Sequence, residues 1–101
     1  MDDFSEKVIN ILQEIPYGRV TTYGTVAALA GNVSGARQVA RLLHSSSKKY
    51  QIPWHRVVNR KGEISERSSM SHLDQRTLLE KEDVAFNKAG KIDLDVFLWI
   101  P

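Results

Sequence analysis

Pro53-Trp54-His55-Arg56 is the stretch in which chemistry would be sought first. A histidine beside a nucleophile can take its proton and activate it. Here the neighbour in that slot is tryptophan, whose indole N–H only donates and cannot attack. Either the tetrapeptide is not catalytic or Trp54 has another task. Taken alone, Trp54 reads as core; inside a basic stretch it reads as an aromatic wall for a base, where stacking contributes roughly 1–3 kcal/mol. His55 reads either as a proton carrier that a neighbouring acid could orient or as a buried histidine bonded to backbone. Serines at 45, 46, 47, 65, 68, 69 and 71 offer hydroxyls, but no spacing rule brings one to His55. The three histidines, His44, His55 and His72, stand 11 and 17 residues apart without clustered carboxylates, so no metal spacing appears. The six glycines are scattered and build no phosphate loop. Nothing singles out two of the twelve acids as a hydrolytic pair. No metal and no cofactor are expected.

The 101 residues contain no cysteine. Disulfides, thiolate metal sites and thiol mechanisms are therefore excluded, and a cytoplasmic location is expected. The opening MDDFSEK lacks the basic-then-apolar order of a secretory leader, and no apolar run approaches the roughly 20 residues of a membrane span. A chain of this length can bury about 60–65% of its unfolded surface as one domain.

The net charge of +2 hides an uneven distribution. Between Glu14 and Glu63 lie 48 residues without an acid, carrying Arg19, Arg37, Arg41, Lys48, Lys49, Arg56, Arg60 and Lys61; each flank sums to −3. A solvated surface normally mixes both signs. One-sided charge over so long a block points to a polyanion, nucleic acid above all; chance clustering is the alternative.

The elements that must position these residues follow from periodicity. Asp2 or Asp3 can cap a first helix whose apolar face is Phe4, Val8, Ile11, Leu12 and Ile15, ended by Pro16 and Gly18. Thr22 can cap a second helix running to Ala30, with Gly31-Asn32 as its stop. A third is expected from near Ser34 to Ser46, together with the second the outline of a helix-turn-helix. It has an apolar stripe, Ala36, Val39, Ala40 and Leu43, and a basic row, Arg37, Arg41, His44 and Lys48 if the helix runs that far. Residues 56–58 and 63–65 read as a hairpin around the turn at 59–62, and residues 84–86 and 92–94 as another. Between them Ser71 can cap a helix bearing Leu73, Leu78 and Leu79, and Phe97, Leu98 and Trp99 are expected to close the core.

Three segments, IPYGRVTTYGTVAALAG from Ile15, ARQVARLL from Ala36 and IPWHRVV from Ile52, resemble in order and spacing the DNA-binding domain of the O6-alkylguanine-DNA alkyltransferases. That family has Pro-Cys-His-Arg where this chain has Pro53-Trp54-His55-Arg56. Tryptophan in that slot, the missing cysteine and the short length are similar to the alkyltransferase-like proteins. The resemblance spans about Ile15 to Glu82, roughly two-thirds of the chain, and the alkyltransferases' separate N-terminal domain is expected to be absent.

The resemblance implies a small α+β fold with a winged helix-turn-helix core, residues 1–101 forming a single DNA-binding domain. It implies a minor-groove interface of Tyr23, Ala36, Arg37, Ala40 and Arg41, with Arg37 filling the gap left by an extruded guanine and Tyr23 crowding the backbone phosphate. It implies a lesion pocket of Tyr23, Trp54, Val57 (through its backbone N–H), Arg67 and Ser71, with residues 66–71 as lid. His55 and Glu82 match the residues that assist the family's thiolate, but with Trp54 in the acceptor's place alkyl transfer should be impossible. The partners implied are duplex DNA containing O6-alkylguanine and the nucleotide excision repair proteins, with the chain acting as a monomer, away from membranes, without a cofactor. Two rivals stand beside this: a winged-helix transcription regulator reading bases through the third helix, where mainly Gln38 could do so, and a hydrolase built on His55.

Overall fold

Asp2 is the first cap. In the computed structural model, which describes residues 2–64 and 72–101, its carboxylate accepts from the Ser5 N–H (2.7 Å) and starts helix α1 (Asp3–Gln13). Asp3 and Glu6 in the first turn suit the positive end of the helix dipole. Val8, Ile9 and Leu12 are buried on one face, and Ile15 extends that face past the helix end.

The chain turns at Pro16–Gly18, with Gly18 at φ +79°, and enters the two-residue strand β1 (Thr21–Thr22). Thr22 serves twice, because its hydroxyl also accepts from the Thr25 N–H (3.1 Å) and caps helix α2 (Tyr23–Leu29). A turn through Gly31 leads to helix α3 (Ala36–Ser46). That helix begins two residues later than its sequence suggests. Ser34 lies in the turn, where its N–H is held by the Asn32 side chain (3.1 Å), and Gly35 takes the cap position. Gly35 packs so closely over Phe4 that a Cβ there would meet the ring at 2.6 Å. The helix also stops at Ser46, so Lys48 follows in a turn rather than extending the basic row along the helix.

Helices α1, α2 and α3 enclose one apolar cluster that includes Val8, Leu12, Val26, Ala27, Val39 and Leu43, with Tyr23, Trp54 and Trp99 packed at its margin. A second cluster, Val20, Val58, Leu79, Val84 and Ile92, lies under helix α4 (His72–Lys81) and the C-terminal segment.

Between the clusters runs strand β2 (Val57–Val58), and here the expected hairpin is corrected. Arg56 belongs to a 3-10 turn, Trp54–Arg56, and β2 pairs in parallel with β1, Thr21 opposite Val57 and Thr22 opposite Val58. The return strand is not formed at Glu63 and Ile64. Asn59 Oδ1 accepts from the Lys61 and Glu63 N–H groups (2.9 Å each), winding residues 59–63 into a side-chain-capped turn instead of a ladder. The second expected hairpin shrinks to a single antiparallel bridge, Phe86 with Ile92, because Asp93 caps the short helix α5 (Leu94–Phe97). The C-terminus does close the fold: Val20 donates to the Phe97 carbonyl (2.9 Å) and accepts from the Trp99 N–H (2.7 Å). The architecture is α+β, with α2 and α3 as a helix-turn-helix pair.

Candidate nucleic-acid interface

The two halves of the candidate site are built by different elements. The 3-10 turn Trp54–Arg56 carries the aromatic and polar residues; α2 and α3 carry the basic and small ones.

Glu82, just past the end of α4, is the centre of the first half. Its carboxylate accepts from His55 Nε2 (2.6 Å), from Arg56 Nε (2.9 and 3.1 Å), from Arg56 Nη2 (2.9 Å) and from the Gly18 N–H (2.9 Å). Its side chain is only 7% exposed, against 15% for His55 and 17% for Arg56. Burial pushes the carboxyl's pKa up, but the Arg56 guanidinium, the Gly18 N–H and His55 together overcome it and hold the pKa at about 2. An ionised carboxylate only accepts, so Nε2 of His55 carries the proton in this bond. Among the described residues the side-chain partner of His55 is this glutamate rather than backbone.

Arg56 reaches further. Nη1 donates to the Ile15 carbonyl (2.8 Å), and the guanidinium lies 5.8 Å from the centre of the Tyr17 ring. The Tyr17 hydroxyl in turn donates to the Lys81 carbonyl (2.8 Å), satisfying a helix-end acceptor of α4. Counted in the sequence as one charge of the basic block, Arg56 is thus spent inside the protein, and seven basic residues remain for a polyanion. None of Arg56, Gly18 and Tyr17 was expected from the sequence to hold Glu82 or the end of its helix. The Pro16–Gly18 break was read only as a helix stop, though a glycine N–H beside a buried acid is what the pair needs.

Trp54 is partly buried against the first cluster, its ring edge-on to His55 at 6.0 Å between centroids and 83° between planes. Tyr23, the first residue of α2, is partly buried against the same cluster, and burial raises its phenol's pKa, so it stays a neutral hydroxyl. Val57 is buried at 1% exposure, and its N–H turns back towards the Trp54 carbonyl. A base edge reaching that amide would take it from a partner within the turn. Arg67 and Ser71, and with them the expected lid, lie outside the described residues.

The second half is the outer face of α3. Arg37 and Arg41 are exposed, Ala36 and Ala40 are half-buried between them and the core, and Val39 and Leu43 face inward. Small side chains next to two arginines let a backbone approach closely while charge meets phosphate. Among the described residues no group of three or more His, Asp or Glu could hold a metal ion, and no helix is long and apolar enough to cross a membrane.

The family model of the 6-O-methylguanine DNA methyltransferase DNA-binding domain matches residues 3–84. The chain is 39% identical to alkyltransferase-like protein 1 of Schizosaccharomyces pombe, covering 100% of this chain and 98% of that one. It is 44% identical to the DNA base-flipping protein of Escherichia coli, over 97% of this chain and 75% of the relative. The fold superposes on the S. pombe protein in complex with damaged DNA containing O6-carboxymethylguanine with a TM-score of 0.82 at 38% identity. The Mycobacterium tuberculosis alkyltransferase in complex with DNA matches at a TM-score of 0.64 and 28% identity, this chain spanning 50% of it. With tryptophan at the centre of its Pro-Trp-His-Arg motif, the chain belongs to the 6-O-methylguanine DNA methyltransferase DNA-binding-domain family, among its alkyltransferase-like proteins.

Proposed function

We propose that this protein is a non-enzymatic sensor of O6-alkylguanine in duplex DNA. It docks its helix-turn-helix against the minor groove, extrudes the damaged base and holds it without transferring the alkyl group. The observation that carries this reading is the pairing of His55 with Glu82 at 2.6 Å beside Trp54, in a chain with no cysteine. The apparatus that would serve a thiolate is assembled, and an aromatic surface stands in the acceptor's place. An extruded base needs a wall to stack on, and a poorly paired damaged base costs least to extrude. The exposed Arg37 is available to fill the vacated stack, in the manner of minor-groove proteins that wedge side chains between base steps.

Arg67 and Ser71 complete the pocket in this reading. Arg67 would stack its guanidinium on the base and Ser71 would lie in the lid, and Arg67→Ala should reduce discrimination between alkylated and plain DNA. A bound lesion without chemistry is useful only if another system removes it, so nucleotide excision repair proteins are the proposed consumers, acting with a monomer in the cytoplasm.

A duplex carrying a labelled O6-alkyl group tests the reading. After incubation the label should be recovered on intact DNA, with the duplex retained in the complex. Label on the protein, or loss of the alkyl group from the base, would contradict it. The regulator reading has weaker support, since α3 offers mainly Gln38 for base edges and presents alanines beside its arginines.

A further inference from the structure

Gln75 is 4% exposed on α4, and neither the Glu82 ion pair nor the α3 face uses it. Its Nε2 donates to two backbone carbonyls, those of His55 (3.1 Å) and Val57 (2.9 Å), which flank Arg56. One primary amide thus spans the point where the 3-10 turn becomes β2. Glu82 follows directly on the last turn of the same helix. The segment is held twice from one direction, its backbone by Gln75 and its His55 and Arg56 side chains by Glu82. Trp54 is placed by packing against the first cluster and by its edge-on contact with His55, the residue whose carbonyl Gln75 holds.

We propose that Gln75 is a positioning residue for base recognition: by tying the His55 and Val57 carbonyls together it fixes the indole of Trp54 in the plane on which an extruded base stacks. This rests on the base-pocket reading above. A site whose supporting contacts are loosened by about 1 Å binds its target less selectively, although the fold survives. Gln75 should therefore act on lesion preference rather than on general affinity for DNA, which depends on phosphate contacts elsewhere.

The chain has two tryptophans, so a Trp99→Phe background leaves Trp54 as the only indole reporter. In that background Gln75→Met keeps the side-chain length and removes both donors, and Gln75→Lys keeps donors at a similar length. In folded, DNA-free Gln75→Met, Trp54 anisotropy should fall and acrylamide quenching should rise. The ratio of affinities for O6-methylguanine duplex and matched plain duplex should drop at least about fivefold, with plain-duplex affinity within about twofold. Gln75→Lys should restore both readouts towards the parent. A lower melting temperature with unchanged anisotropy, quenching and affinity ratio would overturn the inference, leaving Gln75 as packing only. So would Gln75→Lys melting like the parent but losing the ratio. A parent that shows no lesion preference would instead overturn the base-pocket reading, and the Trp54 measurements on free protein would still decide the positioning claim.

Discussion

Glu82 is the residue on which most of the site converges, and its acidity gives a direct pH prediction. Its folded pKa of about 2 lies below the ordinary 4.5, so the unfolded chain binds the proton more readily. The stabilisation is complete above about pH 4.5 and is lost as pH falls towards 2, amounting to about 3 kcal/mol. Denaturant midpoints across that window should fall steeply for the parent and less for Glu82→Gln, which at neutral pH should already be destabilised, because Arg56 keeps a half-buried guanidinium without its counter-charge. Parallel pH profiles for the two proteins would refute this. Arg37 makes the opposite kind of prediction. It is exposed, so Arg37→Ala should change stability by less than about 0.5 kcal/mol, yet weaken binding to lesion duplex by tenfold or more, about 1.4 kcal/mol. Unchanged affinity in a titration would remove the wedge role. Thr21 is a buried oddity: it is fully enclosed, and its hydroxyl has no hydrogen-bond partner among the described residues. Thr21→Val keeps the shape and removes the orphan, so its melting temperature should equal or exceed the parent's.

At the scale of elements, what the sequence revealed was local and what it hid was not. Helices α1 and α2 were legible because capping acids or hydroxyls and apolar spacing are written within a dozen residues. The parallel pair of β1 and β2 was not, since Thr21 and Val57 stand 36 positions apart and a two-residue strand leaves no alternation to read. The hairpin expected at residues 56–65 failed for a physical reason: Asn59 winds the turn with its side chain, and the Gly62 carbonyl accepts from Ile92 (2.8 Å) instead of returning along β2. Gly62 sits at φ +77°, where a Cβ would collide with the Ile92 carbonyl oxygen. Gly62→Ala should therefore destabilise the fold by roughly 1–3 kcal/mol, from left-handed strain plus displacement of the 86–92 segment. A melting temperature equal to the parent's would show that this turn shifts freely. Among site residues, Trp54 and His55 were nameable because a motif carries them, and Glu82 only through the family resemblance; Gln75 was not, as nothing in Asp-Gln-Arg signals that an amide will bridge two carbonyls.

Across the whole molecule the charge arrangement acquires a division of labour. Of eight basic residues in the acid-free block, Arg56 is consumed by Glu82, while Arg37 and Arg41 lie exposed on α3. Binding to plain duplex should therefore weaken with salt, log affinity falling by about 0.9 per phosphate neutralised. A slope of about −3 to −5 is expected if four or five of the seven remaining basic residues meet phosphates. The lesion preference should be nearly independent of salt, because stacking on Trp54 neutralises no phosphate. Equilibrium competition between a duplex containing O6-methylguanine and the matched undamaged duplex, at stated salt, therefore decides whether Trp54 serves a lesion pocket. A preference of at least about tenfold for the lesion, maintained as salt rises and lost in Trp54→Ala, is the predicted result. Equal affinity for the two duplexes would contradict it.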